Sequence, residues 1–589
     1  MADARYRWVV PAPVTVDPAV VEAGRRAGLS DRLIGLLAAR GIADATEIER
    51  FVGPPAAGLH DPWRLPDAAA FVERVERARS AGEQVMVFGD FDADGLTGLA
   101  IVVRALRARG IDVVPYVPSR IDEGHGLSRA AIDAAIAASV SVIVTVDCGS
   151  TSGPEIAEAA GQGIDVLVTD HHRVPADPPP AAALVNPHRP DSAYPDRRLS
   201  GAGVAFKVAA LLTGDAAHDD ADLATIGAVS DVAPILGENR AIARLGLERI
   251  RTAPRPGIAA LLARAGVDHA QADLETIGFA VAPRLNAAGR VGEALDAARL
   301  LLAEDPAEAA ALAEALEAAN RTRRDLMRVA VDEARALIPV DLAEPAVVVR
   351  GDWPVGIVGL VASRLAEDLG RPAIVGANLG GTVRASCRSD GRLDLAATLE
   401  SCADLFTRHG GHAGAAGFEL PVDAWDAFRG RFLALAAAGV AAETDPRRAL
   451  RVDLVLPAME VDYALLRELG SLAPCGSGNP EPLVAILGLT VTRVRAASGG
   501  HSQLTLRRTL DVLDGIAFDR ADLAESIREG DRVDVVGRVM SRRFGGYESL
   551  QVEIRDVATS GTAIEAPRVA LPVAPAVALA DPLLAGGAS

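Results

Sequence analysis

The chain of 589 residues is too long for a single hydrophobic core, so we predict several domains. Its net charge of −19, from 79 acidic and 60 basic residues, excludes a protein that coats duplex nucleic acid through bulk electrostatic attraction. No apolar run reaches about 18 residues, and the start MADARYRWVV lacks a signal-peptide core, which predicts a cytoplasmic protein that does not contact a membrane.

The first 65 residues are predicted to cover the rest of the protein without taking part in chemistry. They carry a helical pattern over residues 19–40, followed by the breakers Gly53-Pro54-Pro55 and Pro62. From residue 66 to about 300, helical and strand patterns alternate, which is typical of an α/β domain with a parallel sheet. The predicted elements are helix 68–79, strand 85–88, helix 96–109, strand 113–117, strand 140–146 and strand 164–169.

Three of these strands are followed by acidic residues. The carboxyl ends of parallel strands meet at one edge of a sheet, so the side chains that follow them should converge there. The candidates are Asp90, Asp92 and Asp94 after the first strand, Asp147 after the third, and Asp170, His171 and His172 after the fourth.

Clustered carboxylates repel one another unless cations neutralise them. Aspartate and histidine ligands suit Mn²⁺ or Mg²⁺, and the four cysteines form no CxxC pair that would indicate structural zinc. Two such cations are the usual centre for phosphoester hydrolysis. A further acid, Asp231, ends an apolar stretch at residues 224–234.

The motifs GDFDADG, VDCG, TDHH and AVSDVAP occur in this order and resemble those of the DHH phosphoesterase superfamily. The resemblance implies a centre of two manganese or magnesium ions. Asp92 and Asp94 would each bind one ion, Asp147 would bridge them, and His171 and Asp231 would complete the second site. His172 would contact the scissile phosphate, and Asp170 would orient the pair of histidines.

One position departs from this pattern. Many members of the superfamily have a histidine ligand four residues before the position of Asp92, where this chain has Phe88. We therefore predict that one ion binds tightly and the other weakly, unless Asp90, water or substrate phosphate replaces the missing ligand.

Two arginines and an amide fall within the segment PRLNAAGR at residues 283–290. Arginine forks suit phosphate oxygens. The segment resembles a motif of the RecJ single-strand exonucleases within the superfamily, which implies that Arg284, Asn286 and Arg290 lie near the substrate backbone.

A long alanine-rich helix is predicted over residues 301–338, with most of its charges solvated, and leads into a second parallel-sheet α/β domain at 339–445. The glycine-rich run RHGGHAGAAG in this domain requires a close approach by a backbone or a ligand. It resembles the signature of the DHH-associated C-terminal domain, and SCRS resembles another element of that domain. The resemblance implies that Arg388, Gly411 and His412 bind nucleic acid.

Short strand patterns over residues 446–560 predict a five-stranded OB-fold barrel. The segment PCGSGNPEP resembles a linker of RecJ proteins, with Cys475 at a position that is usually phenylalanine. Residues 561–589 lack periodicity and are predicted to be disordered. A basic and aromatic face for single strands is predicted from Arg538, Arg542, Arg543, Phe544 and Tyr547.

The predicted architecture is therefore two parallel-sheet α/β domains joined by a long helix and followed by an OB-fold barrel. The resemblance implies a monomeric exonuclease that degrades single-stranded DNA in the 5′→3′ direction in recombination and repair. A single-strand-binding protein or a RecQ-type helicase would be its partner. Two alternatives stay open: a small-nucleotide phosphodiesterase or pyrophosphatase of the same superfamily, and a scaffold without enzymatic activity.

Overall fold

The computed structural model describes residues 3–12, 14–339, 344–389, 391–439, 447–507, 512–544 and 547–563. The chain forms two compact units. We call the first the barrel unit; it comprises Met1–Leu59, Pro234–Ala241 and Thr444–Ser589. The second, the two-sheet unit, comprises His60–Ala233 and Ile242–Glu443.

The chain begins with a short strand and three helices: β1 (Arg7–Val9), α1 (Pro18–Arg26), α2 (Asp31–Ala39) and α3 (Ala45–Val52). The predicted helical pattern over residues 19–40 corresponds to two helices, α1 and α2. The helix breaks at Gly28, which has φ +81°. A new helix starts at Ser30, whose hydroxyl accepts a hydrogen bond from the backbone N–H of Leu33.

The first sheet of the two-sheet unit consists of five parallel strands in the order β3-β2-β4-β5-β6. Every residue of β2 and β4 is buried, as expected for strands with helices on both faces. The strand order reverses between β2 and β4, where open sheets of this kind bind ligands. The elements are α4 (Ala68–Ala81), β2 (Val85–Gly89), α5 (Ala93–Ala108), β3 (Val113–Tyr116), α6 (Arg129–Ala137), β4 (Val142–Val146), α7 (Gly153–Gly161), β5 (Asp165–Thr169) and β6 (Ala183–Val185).

A helical segment follows this sheet and ends in a helix of 31 residues. None of the described helices combines the length and apolar character that a membrane-spanning helix requires. A π-turn at Ile277–Val281 interrupts the segment. The helices are α8 (Gly201–Thr213), α9 (Ala221–Ser230), α10 (Gly237–Thr252), α11 (Pro256–Arg264), α12 (Leu274–Thr276), α13 (Ala282–Val291), α14 (Ala294–Leu302) and α15 (Pro306–Ala336).

The second sheet has the order β10-β11-β9-β8-β7 and is mixed. Its elements are β7 (Val347–Gly351), α16 (Val355–Leu369), β8 (Ala373–Leu379), β9 (Thr382–Arg388), α17 (Leu395–Glu400), β10 (Arg408–Gly411), β11 (Ala415–Pro421) and α18 (Trp425–Gly439). The pair β7–β8 is parallel, whereas the other three pairs are antiparallel. This differs from the predicted parallel sheet, because the two-residue turn Gly380-Gly381 joins β8 to β9 directly as a hairpin.

The C-terminal region of the barrel unit contains the predicted five-stranded barrel. The strands close in the order β14-β15-β16-β18-β17, with β17 pairing back onto β14 and β13 added at one side. The longest strand, β14, contains Gly488, where φ is +73°. The elements are β12 (Ala449–Arg451), β13 (Leu454–Pro457), α19 (Tyr463–Gly470), β14 (Val484–Ala497), β15 (His501–Arg507), β16 (Val512–Ala517), α20 (Asp522–Ser526), β17 (Arg532–Phe544) and β18 (Tyr547–Thr559).

Residues 3–59 belong to the same unit as the barrel. Helices α1–α3 share one hydrophobic core with α19 and the barrel strands, and β1 pairs in parallel with β12. The buried carboxylate of Asp556 accepts hydrogen bonds from the backbone N–H groups of Arg5 and Tyr6, from Trp8 Nε1 and from Arg520. The N-terminal segment is therefore an integral part of the barrel unit.

The segment 234–241 contributes to the same unit. The guanidinium of Arg240 stacks on the ring of Phe51 at 3.7 Å and donates hydrogen bonds to four backbone carbonyls. These carbonyls belong to Phe51, Leu472, Ala473 and Pro474. A single buried side chain thus ties together three distant stretches of the sequence.

Candidate metal centre

The acids after β2 lie where α5 begins. The Asp92 carboxylate caps this helix, since its Oδ1 accepts hydrogen bonds from the backbone N–H groups of Asp94 at 3.0 Å and Gly95 at 3.2 Å. The preceding Asp90 is buried, and its backbone N–H donates to the carbonyl of Val146 at the end of β4. The fold therefore places these carboxylates at the carboxyl edge of the first sheet.

Asp147 reaches this edge in a strained conformation. It follows β4 with φ +63°, a left-handed value that aspartate adopts only uncommonly. Its Oδ1 lies 3.1 Å from Nε2 of His171, which follows β5. A Cβ on Gly201 would stand 2.3 Å from the same oxygen, so only glycine fits at that position.

The first turn of α8 binds the carboxylate of Asp94. The backbone N–H groups of Gly201 and Ala202 donate to its two oxygens at 2.7 and 2.9 Å, where the helix dipole favours negative charge. A Cβ on Gly227 would lie 2.4 Å from Asp94 Oδ1, so α9 must also carry a glycine there. The sequence analysis did not single out these small residues, so their role in supporting the carboxylate was missed.

The ligand atoms divide into groups whose members lie within 4.8 Å of one another. The first group comprises Asp90, Asp92 and Asp147, and the second comprises Asp94, His171 and Asp231. A third group joins Asp147 to both histidines. Because Asp147 and His171 are in contact, the first two groups are neighbours and could hold two ions side by side.

The electrostatics of these groups favour a bound cation. Burial raises the pKa of Asp147 well above its usual value, and the negative charges of Asp94, Asp92 and Asp90 raise it further. Burial, followed by the charge of Asp231, raises the pKa of Asp94 to about 7. Among the described residues, the buried Asp90 Oδ1 has no hydrogen-bond partner, and the buried Asp147 Oδ1 and His171 Nε2 form no hydrogen bond although they lie 3.1 Å apart. Such atoms are costly unless a ligand satisfies them, so the residues fit divalent cations.

Asp170 orients the histidine pair. Its Oδ1 accepts from the backbone N–H groups of His171 and His172 and lies 2.8 Å from Nδ1 of His172. Although burial opposes ionisation, the bonds to His172 and Ser150 lower the pKa of Asp170. The hydrogen bond to Asp170 in turn raises the pKa of His172 to about 9. The buried amide of Asn186, which the sequence did not single out, donates to Ser150 Oγ and to the carbonyl of His172.

Phe88 is not part of the ligand groups. It is fully buried, and its ring stacks on Tyr116 at 5.7 Å. Asp90 instead lies within the first group, and one of its oxygens is 3.3 Å from Nδ1 of His125. The structure therefore offers a carboxylate in the region where the resemblance implied a histidine.

Two of the three residues predicted to lie near the substrate backbone are engaged within the protein. Arg284 is 8% exposed, and its guanidinium donates to Glu317 and to the carbonyl of Ala280. Asn286 accepts from the backbone N–H of Ala93 and donates to Ser230. Both side chains thus make contacts within the protein, and their proximity to the substrate backbone stays a prediction. Asn286 joins the two segments that carry Asp92, Asp94 and Asp231.

The third residue, Arg290, belongs to a group of four arginines that we call the arginine cluster: Arg120, Arg290, Arg323 and Arg388. Burial lowers its pKa to about 9, and the charges of Arg120, Arg323 and Arg388 act in the same direction. Within the described residues, Arg120, Arg290 and Arg388 form no ion pair, and Arg120 lies over the Phe91 ring at 3.9 Å. The sequence analysis did not identify Arg120. It expected most charges of the long helix, to which Arg323 belongs, to be solvated. Arg120 follows β3 at the carboxyl edge of the sheet, which is the signal that could have identified it.

Gly411 and His412 form the turn between β10 and β11. Gly411 has φ +144°, and a Cβ there would lie 2.4 Å from the Cα of Ala416. The exposed His412 accepts from the backbone N–H of Gly414 through Nδ1. Because Ala415 pairs with Arg388, this turn lies beside one member of the arginine cluster.

The predicted basic and aromatic face of the barrel is described by the structure only in part and stays a prediction. Arg538 forms ion pairs with Glu481 and Glu553, so its charge is already compensated within the barrel unit. The side chains of Arg543, Phe544 and Tyr547 lie outside the described residues, as does the predicted disordered tail beyond residue 563.

Three segments match known domain families. Residues 84–229 match the DHH family, N-terminal domain, residues 344–438 match the DHHA1 domain, and residues 452–556 match the RecJ OB domain. The fold and the clustered ligands thus define a DHH phosphoesterase.

Relatives narrow this assignment. The single-stranded-DNA-specific exonuclease RecJ of Bacillus subtilis is 33% identical over 95% of this chain and 72% of its own length. The RecJ of Thermus thermophilus is 36% identical over 86% of this chain and 72% of its own length. A crystal structure of Thermus RecJ in complex with Mn²⁺ matches with a TM-score of 0.79 and 33% identity, covering 94% of this chain and 80% of that one. The chain belongs to the RecJ family.

Proposed function

We propose that this protein is an exonuclease that hydrolyses single-stranded DNA in the 5′→3′ direction with two Mn²⁺ or Mg²⁺ ions, in DNA recombination and repair. The observation that carries the proposal is the convergence of Asp147 Oδ1, His171 Nε2 and Asp90 Oδ1 beside the arginine cluster, because these buried atoms form no hydrogen bond. Single-strand specificity is supported by the RecJ relatives, which are single-stranded-DNA-specific exonucleases, and the direction is supported by the family resemblance.

The chain's own residues divide the catalytic work. Asp90, Asp92 and Asp147 would hold one cation, and Asp94, His171 and Asp231 would hold the other. When bound, two divalent cations activate water and neutralise the charge that develops on the phosphate. Asp170 holds the His172 ring through Nδ1, so that Nε2 is directed away from this carboxylate and can contact a phosphate oxygen.

The arginine cluster supplies the binding of the strand. Arg120, Arg290 and Arg388 have no carboxylate partner within 4.0 Å among the described residues. Arg290 and Arg388 each donate one hydrogen bond to a backbone carbonyl, and the remaining N–H groups of the guanidinium groups can donate to phosphate oxygens. His412 lies on the turn beside Arg388 and can take part in the same contacts. These residues bind the backbone and carry no information about base sequence.

The barrel offers a second surface for a strand, on β14–β16 rather than at Arg538. The exposed Arg493 and Arg495 on β14 lie opposite Thr505 and Gln503 on β15. Phe518, which follows β16, is 49% exposed and meets the His501 ring edge-on at 5.0 Å. This combination of basic and aromatic groups suits sequence-independent binding of single strands.

The surroundings in which the enzyme works are part of the proposal. We place it in the cytoplasm, where its four cysteines would remain thiols. We propose that it acts as a monomer, with a single-strand-binding protein or a RecQ-type helicase supplying its substrate.

The direct test is a nuclease assay with Mn²⁺ and single strands labelled at the 5′ or the 3′ end. We expect labelled mononucleotide to appear first from 5′-labelled strands and duplex DNA to resist. Asp147→Asn should abolish turnover, because this carboxylate faces both ligand groups. Release only from the 3′ end, or no release, would overturn the proposal.

A further inference from the structure

Phe279 is the most exposed of the large apolar side chains in the described part of the chain, at 79%. It lies at the centre of the π-turn, on the face opposite the buried Ile277 and Val281. Burying a phenylalanine side chain normally stabilises a protein, so the exposure of Phe279 on this turn points to a role other than stability. Single π-turns inside helices are frequent at functional sites.

The turn is built to hold this side chain outward. Pro283 has no N–H, so a carbonyl of the preceding turn loses its helical donor. The carbonyl of Ala280, next to Phe279, is held by a side chain: the guanidinium of the buried Arg284 donates to it at 2.6 Å, while Nε of Arg284 donates to Glu317. Arg284 therefore links Ala280, the residue next to Phe279, to Glu317 on α15.

The turn also adjoins the metal centre. A Cβ on Gly278 would meet Val229 at 3.5 Å, and the carbonyl of Val229 accepts from the N–H of Val232. Val232 directly follows Asp231, is 67% exposed and has φ +58°, which a β-branched residue rarely adopts. Two exposed apolar side chains thus flank the segment that carries a candidate metal ligand.

We propose that Phe279 is a stacking platform for a base of the bound strand, a role that rests on the proposed function. The residue precedes Asn286, which contacts the Asp92 segment, by seven positions, or about 10 Å along a helix. At about 3.4 Å per stacked nucleotide, this distance corresponds to roughly three nucleotides. The arginine cluster binds phosphates only. An exposed aromatic ring stacks on the π-face of any base, so this contact adds affinity without sequence preference.

The test measures equilibrium binding by fluorescence anisotropy in EDTA, where hydrolysis does not occur. The probes are a 5′-phosphorylated oligothymidylate and the same strand without its second to fourth bases. Phe279→Ala should bind the intact strand about 10-fold more weakly than wild type and the abasic strand equally well. Phe279→Trp should restore binding and show fluorescence quenching by the intact strand. Val329→Ala, which removes an exposed apolar group from α15, should bind both strands like wild type.

Two results would overturn the stacking role: unchanged binding of the intact strand by Phe279→Ala, as expected if the ring serves a protein partner, or an equal loss on both probes. These results are distinguishable from failure of the proposed function. If the proposed function fails, wild type itself releases no nucleotide from single strands in Mn²⁺. If only the stacking role fails, wild type degrades and binds DNA, but Phe279→Ala does not lose affinity for the intact strand selectively.

Discussion

At the scale of single residues, the candidate centre depends on carboxylates whose environments differ. Asp170 accepts several hydrogen bonds, which lower its pKa, whereas Asp90, Asp94 and Asp147 are buried among like charges, which raises theirs. Asp170 orients His172, whereas Asp90, Asp94 and Asp147 are candidate cation ligands. The same residue type therefore serves two purposes, which the number of hydrogen-bond donors around each carboxylate decides.

Asp90 should matter for metal binding because Phe88 offers no ligand. In titration calorimetry with Mn²⁺ and no DNA, we expect wild type to show one tight and one weaker site. Asp90→Asn should weaken the weaker site by at least about 10-fold. Asp133→Asn, at an exposed position on α6, is the matched control. Two equally tight sites in wild type would contradict this expectation.

Asn286 should affect turnover more than binding. Its amide bridges the backbone of Ala93 and the side chain of Ser230, so Asn286→Ala should let the two ligand-bearing segments move apart. We expect kcat to fall by about 10- to 100-fold with little change in KM for single-stranded DNA, measured by steady-state kinetics. Gln84→Ala, at the opposite end of β2, should behave as wild type. A raised KM with unchanged kcat would instead identify Asn286 as a strand contact.

At the scale of elements, the start of α8 is the tightest constraint on the centre. Gly201→Ala places a methyl group 2.3 Å from Asp147 Oδ1, so the carboxylate or the helix must move. We expect activity to fall by about 100-fold and Mn²⁺ binding to weaken, as measured by nuclease assay and calorimetry.

The control for this helix is Gly161→Ala at the end of α7, where a Cβ would meet nothing within 4 Å. This variant should retain activity and gain a few tenths of a kcal/mol of stability. Wild-type activity in Gly201→Ala would contradict the structure, in which the start of α8 has no space for a methyl group at this position.

Much of the two-sheet unit could be predicted from local patterns. The buried strands β2, β4 and β5 each end in an acid, so their convergence followed from the geometry of parallel strands. Helix α5 begins three residues earlier than expected, because Asp92 is its cap as well as a candidate ligand. The mixed order of the second sheet was not predicted, although Gly380-Gly381 between two strands is a local signal for the hairpin that makes β8 and β9 antiparallel.

The arginines show why side-chain roles were harder to predict than strands. Arg284 and Arg290 lie in one motif and share one chemistry, yet Arg284 pairs with Glu317 and Arg290 joins the arginine cluster. Their difference depends on α15 and on the loop that carries Arg120, both distant in the sequence. No local pattern contains that information.

At the scale of the whole molecule, the two units have separate hydrophobic cores and should unfold separately. Only the two-sheet unit carries the ligand groups, so Mn²⁺ at about 100 times its Kd should stabilise that unit alone, by about 2.7 kcal/mol. Differential scanning calorimetry should show one transition moving and the other fixed. Asp147→Asn should abolish the shift, and an equal shift of both transitions would contradict the assignment.

The barrel unit is assembled from three stretches of the chain that are hundreds of positions apart. During synthesis, helices α1–α3 leave the ribosome long before the strands that share their core, and Arg240 appears before the carbonyls at residues 472–474 that it binds. Helices α1–α3 must therefore wait for the barrel strands, with their apolar faces uncovered until the two-sheet unit has been made. A messenger truncated before residue 449 would yield an N-terminus with no partner, a ready substrate for chaperones and proteases.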